Sequence, residues 1–375
     1  MSLKYDTIVI GAGQAGLSAG YHLARRGLRF VILDANERIG DTWRKRWDSL
    51  RLFTPARFNG LAGMPFPAPA HYFPTKDEMA AYLEEYAAHF QLPIRTSTRV
   101  DRLSKNGGRF VVESGGERLE AENVVVAMAN YQVPWKPPFA SQVDPGILQV
   151  HSGEYRNPSQ LQEGGVLIVG AGNSGSEIAM ELAPDHTIYM SGRHTGQLPF
   201  RTHSLAARFF FVPVVLRFLF HRVLTVNTPP GRKIRPKVIS KGGPLIRVKV
   251  QDLEAAGVER VPRTVGVNEG RPVLEDGRIL EVANIVWCTG FRPGFSWIDL
   301  PVHGKLEPVH ERGVGPSQPG LYFTGLHFQT GLSSSMIHGA SRDADYIAGH
   351  IAAREKIPAQ AAALPDRQAG SPLRE

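Results

Sequence analysis

The chain has 375 residues, 42% hydrophobic and 21% charged, a balance that supports packed cores in about two domains and argues against a disordered polymer. A single cysteine, Cys288, excludes an internal disulfide framework and any Cys-x-x-Cys redox pair. The net charge is +8, yet residues 186–251 carry 12 Lys and Arg and no Asp or Glu, which leaves 31 basic against 35 acidic residues elsewhere.

The start, Met1-Ser2-Leu3-Lys4, runs into a strand-like segment, so no secretory signal is expected and a cytoplasmic protein is the reading. Thr7-Ile8-Val9-Ile10 is a short apolar run that stops at Gly11-Ala12-Gly13-Gln14-Ala15-Gly16. A helical stretch follows to Arg25-Arg26 and Gly27, and a second strand, Phe30 to Leu33, ends at Asp34. This strand–turn–helix–strand order is the setting in which a glycine pattern signals a dinucleotide. Gly11 allows a tight turn, Gly13 lets backbone approach a pyrophosphate, and Gly16 lets the helix pack close to the strand. Unpaired N–H groups and the dipole at the helix start favour the phosphates. Asp34 stands where an acid would accept hydrogen bonds from a ribose.

The unit returns at Val166-Leu167-Ile168-Val169, followed by Gly170-Ala171-Gly172-Asn173-Ser174-Gly175, a helix to about Leu182 and a strand from Thr187 to Met190. Its end reads Ser191-Gly192-Arg193 where the acid should stand. A carboxylate there would repel a 2′-phosphate, whereas Ser191 and Arg193 would bind it. The first site is therefore read as FAD and the second as NADPH. Two sites about 160 residues apart imply hydride transfer from nicotinamide to flavin.

The strands Glu122–Ala127, Ile285–Cys288 and Leu321–Phe323, with a helix from Ser334 to Ala348, suggest a flavin domain that resumes after the second unit. The expected architecture is α/β, with two Rossmann-like dinucleotide-binding domains and the NADPH domain inserted into the FAD domain. The expected boundaries are 1–157 and 283–358 for the FAD domain, 158–282 for the NADPH domain, and a flexible tail over 359–375. An apolar and basic insertion spans about 204–250. Within it, Phe209–Leu216 and Phe218–Phe220 are interrupted by Pro213, Arg217, His221 and Arg222, too often for a membrane span. Three readings stay open for 209–237: a lid over the active site, an oily entrance resting on a bilayer, and a helix buried in the domain or at a homodimer contact. No nucleic-acid motif accompanies the charge, so nucleic acid is discounted as a partner. Cys288 lies on a strand and is expected to be a packed thiol, and no metal-ligand cluster is evident.

On these residues the chain resembles the flavin-containing monooxygenases, closest to short bacterial members and to plant enzymes acting on indole-3-pyruvate. The resemblance spans Tyr5 to about Ile351. Besides the two glycine loops, it rests on Glu37–Trp43, Trp47–Pro55, Met64-Pro65-Phe66-Pro67, His151-Ser152-x-x-Tyr155 and Ser191-Gly192-Arg193. It implies that NADPH reduces FAD, that oxygen adds at the flavin C4a position, and that the resulting hydroperoxide oxygenates a nitrogen, sulfur or carbonyl centre of a small molecule. By the same resemblance Gln14, Trp43 and Thr54 lie nearest the flavin, and Gly325 and Gln329 lie by its ribityl or pyrimidine end. The chain also departs from the family pattern. Ile147 replaces a linker glycine, Tyr155 replaces the tryptophan of ketone-oxygenating members, and Ala127-Met128-Ala129 replaces Ala-Thr-Gly. Phe53 stands where many members carry an asparagine that protects the peroxide, so Phe53 and Thr54 are the candidate catalytic positions. Two alternatives to a monooxygenase remain: a flavin reductase or oxidase serving a quinone, a protein or oxygen, and a redox-sensing FAD/NADPH-binding protein linked to transport.

Overall fold

A computed structural model describes residues 3–201, 204, 207–240, 243–304 and 307–355, so the expected tail lies outside the described residues. The first sheet is built from β1 (Leu3–Ile10), β2 (Phe30–Leu33), β3 (Ile94–Arg95), β4 (Arg102–Asn106), β5 (Arg109–Ser114) and β6 (Glu117–Val126). Its order is β3-β2-β1-β6-β5-β4, parallel from β3 to β6 and antiparallel beyond. Pleating sends Val9 to one face of this sheet and Ile8 and Ile10 to the other. The first face packs α1 (Gln14–Ala24) and α3 (Lys76–His89), through Leu17, Leu23, Met79, Tyr82 and Tyr86. Each such fully buried aliphatic side chain contributes about 1.5–3 kcal/mol. Thr75 starts α3 with a reciprocal cap: its hydroxyl accepts from Glu78 N, while Glu78 accepts from Thr75 N. A short α2 (Asp41–Arg44) lies between β2 and α3.

After β6 the chain passes through β7 (Val133–Pro134) and enters a second sheet of five strands: β8 (Leu148–His151), β9 (Val166–Val169), β10 (Ile188–Ser191), β11 (Glu259–Val261) and β14 (Asn284–Trp287). Every pairing is parallel and the order is β11-β10-β9-β14-β8. Apolar residues fill all four positions of β9 because both faces are covered, one by α4 (Asn173–Leu182) and α6 (Val250–Ala255). A hairpin of β12 (Thr264–Asn268) and β13 (Arg271–Leu274) follows β11. The chain leaves through β15 (Phe291–Arg292), antiparallel to β7. It then returns to the first sheet as β16 (Leu321–Phe323), parallel to β6, and ends in α7 (Ile337–Glu355) packed on α1.

These pairings correct the expected boundaries at 158 and 282. Leu148–His151 and Asn284–Trp287, assigned from sequence to the flavin domain, are strands of the second sheet, and β14 sits between β9 and β8. The two crossings between sheets are pinned to each other there. His151 Nδ1 accepts from Gly153 N at 3.1 Å, which leaves Nε2–H to donate to Gly290 O at 2.9 Å. α7 also begins later than expected and runs further; Thr330 N and Gly331 N both donate to Ser334 Oγ in the turn before it.

Candidate functional site

The two glycine loops superpose in their local physics. Gly11 and Gly170 have φ of +106° and +119°, which a side chain rarely adopts. A Cβ at Gly11 would lie 3.0 Å from Ala127 O, and one at Gly170 would lie 2.2 Å from Cys288 O. The third glycine of each loop is tighter still. A Cβ at Gly16 would stand 1.8 Å from Gly11 O, and one at Gly175 would stand 2.0 Å from Gly170 O. The central glycines differ: a Cβ at Gly13 or Gly172 meets no protein atom within 4 Å. Both are N-cap residues, of α1 and α4, and no side chain caps either helix. Open space beside uncapped N–H groups fits a dinucleotide pyrophosphate.

Behind the first loop, Asp34 is 9% exposed. Its Oδ2 accepts from Ala12 N at 2.6 Å, and its Oδ1 accepts from Asn36 N and Nδ2 at 2.8 and 2.9 Å. Each carboxylate oxygen offers two lone pairs, so Oδ2 keeps one for a ribose hydroxyl. Behind the second loop, Arg193 is exposed and has no acidic partner among the described residues. Ser191 does not share its role. The hydroxyl is fully buried, accepts from Thr264 N at 2.7 Å and from Thr264 Oγ1 at 2.9 Å, and donates to Pro262 O at 3.0 Å. It fastens β10 to the segment entering β12. Asn173 is likewise tied to protein, through Pro244 O and Ile246 N, while Ser174 is half-buried at the helix start.

The turns that follow β6, β14 and β16 each hold one left-handed residue. Ala129, Gly290 and Gly325 all have positive φ, +58°, +83° and +81°, so the Ala127-Met128-Ala129 turn keeps the left-handed backbone that a glycine would adopt more cheaply. A Cβ at Gly325 would come 2.8 Å from Ala15 Cβ, which brings the β16 turn directly against the start of α1. Gln329 is buried and turned inward, toward Leu326 N and Arg312 O at 3.4 Å each. Trp43 is half-buried in α2 against the first core. Phe53 and Thr54 lie on the loop before a short turn over Ala56–Phe58. Thr54 Oγ1 donates to Asn59 Oδ1, and Asn59 Nδ2 returns a bond to Thr54 O at 2.9 Å. Asn59, fully buried, was not singled out from sequence, and nothing local marks it. Cys288 is a packed thiol, pushed up to about 12 by burial.

The insertion covers this loop from the outside. Helical turns of the wide i→i+5 type run over Ala207–Phe211 and Val214–Val223, followed by α5 (Pro229–Ser240). Val212 and Leu216 pack on Phe58, with Phe220, Phe200 and Met336 alongside. Val226 N donates to Thr330 O and Leu332 N donates to Leu224 O, both at 2.9 Å. Arg235 reaches Glu307 at 3.0 Å. From the segment before α6, Arg247 pairs with the buried Glu177 at 3.4 Å and donates to Arg51 O at 3.2 Å. No described helix is long and apolar enough to cross a membrane.

Residues 8–205 match the family described as pyridine nucleotide-disulphide oxidoreductase. The relative named "Uncharacterized oxidoreductase CzcO-like" from Geobacillus kaustophilus is 39% identical over 92% of this chain and 98% of its own. The indole-3-pyruvate monooxygenase YUCCA1 of Oryza sativa is 29% identical over 92% of this chain and 90% of its own. Among solved structures, a flavin-containing monooxygenase from Stenotrophomonas maltophilia superposes with a TM-score of 0.75 at 28% identity, covering 94% of this chain and 99% of that one. With a lone cysteine, the disulphide half of the family's description has no dithiol here to act through. The chain belongs to the pyridine nucleotide-disulphide oxidoreductase family and, within it, to the flavin-containing monooxygenases, and is a flavin-dependent oxidoreductase.

Proposed function

We propose that this enzyme is an NADPH-dependent monooxygenase of a small nitrogen-, sulfur- or carbonyl-bearing substrate, acting in the cytoplasm. Its cofactors are FAD and NADPH. In this reading the sheets are two Rossmann-like domains, the NADPH domain inserted into the FAD domain. The carrying observation is the pair of open central glycines at uncapped helix starts, one backed by Asp34 and the other by Arg193. Bound FAD supplies electron transfer and oxygen activation, so no side-chain nucleophile is required.

The chain's own residues bind, orient and exclude. Backbone N–H groups at Gly13, Gln14 and Ala15 receive the FAD pyrophosphate, with Gly11 and Gly16 shaping the turn and Asp34 accepting from the ribose. Trp43, Thr54, Gly325 and Gln329 line the flavin end, and Asn59 holds Thr54 in place. Gly172, Asn173 and Ser174 receive the NADPH pyrophosphate by backbone, between Gly170 and Gly175. Arg193 meets the 2′-phosphate, so Arg193→Ala is expected to weaken NADPH by about 1.5–3 kcal/mol and leave NADH nearly unchanged, as read by titration of both nucleotides. Equal losses would remove that role. The apolar inner face of residues 212–220, lying on Phe58, keeps water from the reacting centre.

A panel of amines, sulfides and α-keto acids, incubated with NADPH and isotopically labelled dioxygen, tests the reaction. The expected outcome is one labelled oxygen atom in a product for a fraction of the NADPH consumed. Hydrogen peroxide equal to the NADPH oxidised, with no labelled product from any of the panel, would establish the reductase or oxidase reading that Phe53 favours.

A further inference from the structure

The outer face of the insertion gathers five of the ten exposed large hydrophobic side chains among the described residues. Phe209, Phe210 and Phe218 are 68%, 62% and 56% exposed, and Phe211 and Val214 are 42% and 41% exposed. In these wide turns Phe210, Val214 and Phe218 recur every fourth residue along one side, while Val212 and Leu216 face the opposite way, into Phe58. The crest is braced at its base: Phe211 stacks on Phe200 at 5.3 Å, and Phe209 meets the His71 ring edge-on at 5.0 Å. The apolar residues therefore project from a supported ridge, a stronger feature than scattered surface phenylalanines.

Charge selects the occupant. Arg222, Arg232, Lys233 and Lys237 follow the crest in sequence, are exposed and have no acidic partner among the described residues, whereas Arg235 is engaged by Glu307. The 12 cations and absent acids of 186–251 make this the most basic stretch of the sequence. A second copy docking through the same face would set these cations against themselves, because a two-fold interface pairs a patch with itself. An aromatic ridge flanked by lysine and arginine matches a bilayer interface bearing anionic headgroups. We propose that residues 209–237 seat this enzyme on an anionic lipid surface, with Phe209, Phe210 and Phe218 entering the headgroup region. The inference is independent of which acceptor the flavin serves.

Flotation of the holoenzyme with phosphatidylcholine vesicles, with and without phosphatidylglycerol, tests it. Binding is expected only with the anionic lipid and should fall as salt is raised. Phe210→Ser combined with Phe218→Ser, and separately Lys233→Glu combined with Lys237→Glu, should each weaken partition by roughly tenfold or more. NADPH oxidation in solution should stay at the wild-type rate in both, which shows that the variants fold. No flotation at low salt, equal binding to neutral and anionic vesicles, or binding unchanged in both variants would overturn the proposal. So would a dimer lost in the serine variant without any vesicle binding, which would make the crest a self-contact.

Discussion

Gly13→Val is expected to yield a folded protein that purifies without flavin, whereas Gly16→Val is expected to fail at the fold itself. The distinction comes from what a Cβ would meet. At Gly13 it would project into space free of protein atoms, beside the uncapped start of α1, so only a bound pyrophosphate would feel it. At Gly16 it would lie 1.8 Å from Gly11 O, a backbone atom that cannot yield without opening the turn between β1 and α1. The measurements are visible absorbance of the purified protein and its thermal unfolding temperature. Gly13→Val should keep the wild-type unfolding temperature of the flavin-free protein, and Gly16→Val should lower it or leave the protein insoluble. Gly172→Val provides the matched control in the second loop: the protein should stay yellow but lose reduction of its flavin by NADPH. A yellow Gly13→Val protein together with a colourless Gly172→Val protein would reverse the assignment of the two sites.

The glycine loops were legible in the sequence because their determinants are local. A positive φ, a close helix approach and an open phosphate face each require glycine at a fixed offset, and strand and helix patterns flank them within 30 residues. The partition of strands was not legible. β8 and β14 are four-residue strands whose sheet is decided by pairings distant in sequence, with Asn284 of β14 set opposite Val166 of β9 on one side and Leu148 of β8 on the other, and nothing in Leu148–His151 or Asn284–Trp287 says which sheet will accept them. Ser191 shows the same limit at a single side chain. Its position at the end of β10 suited a phosphate, but Thr264 arrives from 73 residues away and takes the hydroxyl. Asn59, Arg247 and the Arg235–Glu307 pair escaped notice for this reason also: their meaning lies in the partner, which only the folded chain supplies. The insertion was legible in composition, apolar and basic, but its two faces were not. An i→i+5 turn does not follow the periodicity that separates inside from outside in an ordinary helix.

Mild acid is expected to destabilise the protein steeply, and His338 should carry a large part of the effect. Burial lowers five histidines, His22, His151, His221, His327 and His338, with His22 and His338 brought down to about 4. The neighbouring charges of His221, Arg342 and Arg217 press His338 further in the same direction. A histidine whose folded value lies below its unfolded value of 6.5 makes no difference at high pH, where both states are neutral. As pH falls below 6.5 the unfolded chain takes up the proton first, so stability declines until the folded group also titrates near 4. At about pH 5 this amounts to on the order of 2 kcal/mol for His338. Glu177 acts oppositely. Burial raises it to about 7, so the folded state binds its proton first and gains stability as pH falls from there toward the ordinary carboxylate range. One carboxyl cannot offset five histidines, and the net slope should follow the histidines. Urea midpoints measured between about pH 7.5 and pH 5 should therefore fall in the wild type, fall less in His338→Gln, and fall more steeply in Glu177→Gln. A wild-type midpoint that stays level over that range, or a decline unchanged in His338→Gln, would show that these imidazoles titrate alike in the folded and unfolded chain.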